Sequence, residues 1–238
     1  MHALRSFFVL TTLLSACSAP TSVTAVDLST EESVKPGINE NFLREGAVEQ
    51  YTQRFETESR EIFSRRKEIV AALGLEPGME VADIGAGTGL FLGPFAEAVG
   101  PEGHVYLVDI SPGFVSLIDN RIRRLGLEHA TVGLCTDRSV ELPKNSVDLV
   151  FICDVYHHFE FPRNTLASIH EALRPGGQVV VIDFHRIEGQ TSEWTMNHVR
   201  AGEEVFTAEI ESAGFERTEQ RHDLLEANYF LRFVRKDA

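Results

Sequence analysis

The stretch VADIGAGTGLF, residues 81–91, decides the architecture. A short apolar run ends in Asp83, and glycines then fall at 85, 87 and 89 before an apolar helical stretch begins. This is a strand, a tight turn and a helix. Glycines at such a turn let a ligand touch backbone, and the helix that follows offers its N-terminal amides. The spacing is G-x-G-x-G. The dinucleotide fingerprint G-x-G-x-x-G requires glycine at position 90, where this chain has Leu90. That counts against a nicotinamide cofactor and an oxidoreductase reading.

Working outward, five short runs share one character: EVADI (80–84), HVYLVDI (104–110), TVGLC (131–135), VDLVFIC (147–153) and QVVVIDF (178–184). They are rich in Val and Ile and continuous rather than alternating, as expected of strands buried on both faces of a parallel sheet. Between them lie the helical stretches GLFLGPFAEAVG, PGFVSLIDNRIRRLG and RNTLASIHEALRPGG. Strand and helix in alternation predict a doubly wound, mostly parallel α/β sheet. Its ligands belong outside the carboxyl ends of the strands.

Upstream, YTQRFETESREIFSRRKEIVAALGL places Phe55, Ile62, Phe63, Ile69, Val70 and Leu73 on one helical stripe, closed by Gly74 and Pro77. Downstream, the helix GEEVFTAEIESAG precedes two strands with a turn near Glu226 to Asn228, an antiparallel hairpin closing one side of the sheet.

The chain has 238 residues, enough for one domain with a substantial core. Its net charge of -14 argues against sequence-independent nucleic-acid binding and against a basic face on anionic lipid. A small molecule is the easier partner. Three cysteines, at 17, 135 and 153, make no disulfide framework and no zinc spacing, and no His-x-x-x-His pattern occurs. No metal site is expected.

Residues 9–18, VLTTLLSACS, form an uncharged run too short to span a bilayer. With Arg5 before it and small residues at its end, it reads as an export signal. LSAC (14–17) resembles the bacterial lipobox, which implies a lipid on Cys17 and a membrane-anchored protein on the envelope side, with cytoplasmic retention as the alternative. Residues 18–40 are rich in Ser, Thr, Pro and Glu and read as a flexible tether, so the folded domain is expected over 41–238.

VADIGAGTGLF, VYLVDIS, CTDRSVELPKNSVDLVFICDVYHHF and LRPGGQVVVIDF, in that order, resemble the successive motifs of class I S-adenosylmethionine-dependent methyltransferases, close to the ubiquinone/menaquinone branch. The resemblance covers roughly residues 51–236. It implies a seven-stranded sheet whose last strand is antiparallel, S-adenosylmethionine as cofactor, and in-line methyl transfer to a small molecule. Gly85, Ala86, Gly87 and Gly89 would pack under the methionine part, and Asp83 would hold the loop and the amino group. Asp109, with Ile110 beside it, would bind the ribose. Asp137 and Arg138 would meet the adenine. Asp154 would border the sulfonium.

Read from the residues alone, Asp109 is a ribose ligand or a helix cap. In DVYHHFEFP, Tyr156 is a substrate contact, and His157 and His158 are pocket residues or bases. His185, His198 and Arg200 are further substrate candidates. No acceptor motif matches, so the acceptor stays open. A non-catalytic module binding S-adenosylmethionine or a nucleoside is the second reading.

Overall fold

The computed structural model describes residues 28–57 and 60–237. The signal-like run and Cys17 lie outside them. In chain order the elements are α1 (Glu40–Leu43), α2 (Ala47–Phe55), α3 (Glu61–Ser64), α4 (Arg66–Leu73), β1 (Glu80–Ile84), α5 (Leu92–Val99), β2 (His104–Asp109), α6 (Pro112–Leu125) and β3 (Ala130–Leu134). There follow β4 (Val147–Cys153), a 3-10 turn (Tyr156–His158), α7 (Pro162–Ala172), β5 (Leu173–Phe184), α8 (Glu193–His198), α9 (Glu203–Ser212), β6 (Phe215–Arg221) and β7 (Asn228–Arg235), and a second 3-10 turn (Leu28–Thr30) precedes α1.

The strands form one seven-stranded sheet in the order β3-β2-β1-β4-β5-β7-β6. The first five in that order pair in parallel, and β7 pairs antiparallel with both β5 and β6. This is the doubly wound sheet with a terminal hairpin that the sequence pattern predicts. The connections reverse direction between β1 and β4, which opens a crevice at their carboxyl ends.

The continuous apolar runs have a direct cause. In β4, Val150 and Ile152 pack into the core on one face, while Leu149 and Phe151 pack into the core on the other. β5 divides in the same way, Val179 and Val181 against Val180 and Ile182. With helices on both faces, period-two alternation leaves no polar side.

Two expectations are corrected. The apolar stripe over residues 51–75 is not one helix. Tyr51 and Phe55 of α2 pack with Phe42 and Phe114, whereas Ile62, Ile69 and Leu73 belong to the core under the sheet. The stripe serves two different cores, so the helix breaks after Phe55.

The second concerns the tether. Residues 28–40 lie against the domain. Glu31 accepts from the amides of Arg163 and Asn164, both at 2.8 Å, and so neutralises free donors in the first turn of α7. Val34 N donates to Glu160 O (3.0 Å), Lys35 Nζ to His198 O (2.8 Å) and Asn39 Nδ2 to His158 O (3.2 Å). Polar side chains that read as linker composition act here as caps and clamps.

Candidate active site

The crevice holds a cavity of about 570 Å³, within the usual range for small-molecule sites. One end is built by the turns after β1 and β2. Gly85 and Ala86 donate their amides to Val108 O at 2.7 and 3.1 Å, folding the loop back over the sheet. Gly85 has φ +72°, and a Cβ there would come within 2.5 Å of Val155 Cγ1, so no other residue fits. Gly87 N donates to Asp109 Oδ2 at 2.8 Å, and Ser111 N donates to Asp109 Oδ1 at 2.8 Å. Asp109 thus clamps the glycine loop while lining the cavity with Ile110.

Asp83, 3 % exposed, also lines the cavity, and its Oδ2 has no partner. Burial, reinforced by the charge of Asp109, pushes its carboxyl up to about 8. Burial also raises Asp109, to about 6, against the pull of its backbone amide donors. A buried carboxyl with one oxygen unpartnered beside a glycine loop fits a cationic amine, and Asp109 fits paired hydroxyl donors.

Asp154 directly follows β4 with φ 55°, a left-handed conformation uncommon outside glycine. It is held there by Ile182 O, which accepts its amide at 2.8 Å. Its Oδ2 accepts from Arg60 Nη2 (2.5 Å) and its Oδ1 from Asn228 Nδ2 (2.6 Å). The carboxylate therefore ties the β4 turn to the segment before α3 and to β7.

The other end of the cavity is aromatic. Phe42, Tyr51, Phe55, Phe184 and Trp194 line it, with Asn39 and Arg54 at its rim. Trp194 stacks on His198 at 4.6 Å, with the Arg54 guanidinium 4.6 Å from its ring centroid. His157, 1 % exposed, is fixed by Asp183, whose carboxylate oxygens lie 2.8 and 3.0 Å from Nδ1. His157, His158 and His198 all face the cavity with ring centroids 4.3–5.0 Å apart. Burial, and then the imidazoles of His157 and His198 and Lys35, push His158 down to about 2; burial, and then His157, Lys35 and Arg54, push His198 down to about 4.

The structure sets six of the predicted site residues away from the cavity wall. Tyr156 is fully buried and gives its hydroxyl to Glu209 (3.0 Å), away from the cavity. Arg200 makes a two-pronged pair with the same Glu209 (2.8 and 2.6 Å) and is a structural partner of Tyr156. His185 packs on His222 and Tyr229 beyond the cavity wall. Gly89 lies under the loop against Ile118 and Leu107. Asp137 and Arg138 do not line the cavity; Arg138 covers the Phe161 ring at 3.5 Å and donates to Glu31 O. The docked N-terminal segment occupies that guanidinium. Conversely, Asn39, Phe42, Arg54, Arg60, Trp194 and Asn228 escaped the sequence reading. Only Trp194, the single tryptophan, carried a signal, standing alone among polar residues.

Among the described residues, burial keeps both thiols protonated. Burial pushes Cys135 up to about 12 and Cys153 well above its usual value.

Comparison with known proteins agrees with this fold. The chain is 31% identical over 118 residues to the ubiquinone/menaquinone biosynthesis C-methyltransferase UbiE of Cupriavidus taiwanensis, covering 50% of this chain and 48% of that protein. It thus spans about half the length of the curated relatives it matches. Its fold is similar to that of a SAM-dependent methyltransferase from Aquifex aeolicus (TM-score 0.70, 23% identity, 78% of this chain and 97% of that one). It is also similar to Haemonchus contortus phosphoethanolamine N-methyltransferase 2 in complex with S-adenosyl-L-methionine (TM-score 0.66, 17% identity, 86% and 60%). A family profile described as a methyltransferase domain matches residues 75–228, and the chain belongs to that family.

Proposed function

We propose that this chain transfers the methyl group of S-adenosylmethionine to a small, largely apolar molecule. The observation that carries the reading is a single cavity with two chemically distinct ends: the glycine loop with Asp83 and Asp109, and an aromatic chamber with polar groups set into its wall.

The cofactor, when bound, supplies a methyl group on a sulfonium that is already a good leaving group. Asp109 would accept from the ribose hydroxyls, and Asp83 would hold the amino group, where a positive charge favours its ionised form. The loop glycines let the chain approach closely. Asp154, locked by Arg60 and Asn228, holds the strand turn between the two ends. The rings of Tyr51, Phe55 and Phe42 exclude water and favour a planar, apolar acceptor. His157, oriented by Asp183, presents Nε2 toward that acceptor. Holding nucleophile, methyl and sulfur in line supplies the main acceleration.

The test is calorimetric titration of the full chain with S-adenosylmethionine, S-adenosylhomocysteine and NAD, followed by an acceptor screen. Micromolar binding of the first two and not of NAD is expected, with turnover of aromatic acceptors. Binding without turnover would favour a binding module, and no binding would overturn the reading.

We propose further that Cys17 carries a lipid and anchors the protein on the envelope side of a membrane. The lipobox-like LSAC and the short apolar run before it support this. Labelling with a radioactive fatty acid tests it: incorporation should disappear in Cys17→Ser.

A further inference from the structure

Proton removal from an acceptor needs one imidazole, and this chamber holds three. Their ligand atoms lie within 4.8 Å of one another. The hydrogen bonding leaves one buried nitrogen unshared on each of two rings. His157 Nδ1 is engaged by Asp183, which leaves Nε2 buried without a partner. His158 is bonded to the Ile38 backbone, and its Nδ1 is likewise buried without a partner. An imidazole whose far nitrogen is held by a carboxylate is the usual outer support of a metal ligand. His198 completes the triangle from α8, its ring braced by Trp194 and its backbone carbonyl held by Lys35.

The dimensions agree. An ion central to a triangle of that side sits at most about 2.8 Å from each nitrogen, and zinc takes imidazole at ~2.0–2.1 Å, so each ring closes by about 0.7 Å. The chamber adds no carboxylate to the triangle: Asp183 is spent on His157 and on the amides of His157 and Phe184. Three neutral nitrogens suit a borderline transition metal and not magnesium or calcium, which take oxygen ligands.

We infer that His157, His158 and His198 form a three-imidazole site for a divalent transition-metal ion of the zinc class, which takes the ionisable oxygen or sulfur of the methyl acceptor. Three protein ligands leave one position for substrate, the arrangement of catalytic rather than structural zinc. The site itself is independent of the methyl-transfer reading; its role rests on that reading. In that role the acceptor's O–H or S–H proton passes to solvent as the heteroatom meets the ion. The new bond to the methyl carbon then forms as the carbon–sulfur bond of the sulfonium breaks, giving a neutral thioether.

The experiment uses the full chain without a histidine tag, stripped with a chelator and titrated with cobalt(II) and zinc(II). Uptake is followed by visible absorption, calorimetry and the fluorescence of Trp194. The expected result is one equivalent bound at micromolar or tighter affinity, a low-coordinate cobalt band and quenched Trp194 emission. His158→Ala and His198→Ala should each weaken binding by at least about a hundredfold, and Asp183→Asn by roughly 10–100-fold. His185→Ala, outside the cluster, should leave it unchanged. Circular dichroism and cofactor titration of each variant separate loss of the site from loss of the fold. Failure to bind either metal stoichiometrically in the folded parent, or equal affinity in folded His158→Ala and His198→Ala, would overturn the site. Metal uptake without binding of S-adenosylmethionine would leave the site standing and remove its role.

Discussion

Replacing Asp109 by Asn should split stability from binding. The carboxylate is buried and accepts two backbone amides at 2.8 Å. Burial still dominates and holds its pKa at about 6. Because the folded value lies above the unfolded one of 3.8, its contribution to stability is complete below pH ~4 and is lost as pH rises through ~6. At about 1.4 kcal/mol per pH unit, the ionised form costs the ligand-free fold ~3 kcal/mol above that range. Asn escapes this cost but gives up one amide bond, worth about 1 kcal/mol. The ligand-free variant should therefore be at least as stable as the parent at pH ~8 and slightly less stable at pH ~4.

Cofactor binding should move the other way. Hydrogen bonds to a charged acceptor contribute about 1.5–3 kcal/mol each, so loss of the charge facing the ribose should cost ~2–4 kcal/mol, or roughly 30- to 700-fold in Kd. Parental affinity should also rise more steeply than the variant's between pH ~5 and ~7, because Asp109 ionises there in addition to Asp83. Calorimetry with S-adenosylhomocysteine and urea denaturation across this pH range measure both effects. An Asn variant that binds within about threefold of the parent would refute the ribose assignment. A loss of more than ~2 kcal/mol of stability at pH ~8 would show that Asp109 serves mainly as a loop clamp.

Gly85→Ala forces a Cβ to within 2.5 Å of Val155 Cγ1 at a positive φ, so urea titration should show a loss of about 2–4 kcal/mol, partly restored by adding Val155→Ala. Arg60→Ala strips the cation from the mostly buried Asp154 and should cost about 3 kcal/mol in the same assay; unchanged stability would mean that Asn228 alone holds the turn. Tyr156→Phe removes only the bond to Glu209, so it should lower stability by about 1 kcal/mol and leave methyl transfer unchanged. A large loss of turnover there would return Tyr156 to the acceptor chamber.

The sheet and the cofactor end were legible because their signals are local. β1, the glycine turn and Asp83 are contiguous, and Asp109 ends the next strand. The acceptor end was not legible. It brings together Asn39, Phe42, Arg54, Trp194 and the histidines 157, 158 and 198, which share no spacing rule along the chain. The absence of a His-x-x-x-His pattern therefore said nothing about the three imidazoles, which meet only when α8 folds over the turn after β4. Residues 28–40 misled for a related reason. Ser and Glu have the same composition in a linker as in a cap, and what distinguishes them is the free amides of α7. The stripe over residues 51–75 misled because periodicity reports that a face is buried, not that a single core buries it.

The clamps of the N-terminal segment give the two ends of the cavity different folding histories. Gly87 and Asp109, which join the cofactor end, are 22 residues apart. Lys35 reaches His198 across 163 residues, and Asn39 reaches His158 across 119. The cofactor end can assemble as soon as the first strands pair, whereas the acceptor end waits until most of the chain has been made. The N-terminal segment that covers it is also held by partly exposed bonds, so that segment belongs to the units that open at low free energy. In native-state hydrogen exchange, the Val34 amide on Glu160 should exchange long before those of Gly85 and Ala86 on Val108. One cavity thus contains a persistent half that keeps its shape and a provisional half that is rebuilt whenever the first residues of the domain settle.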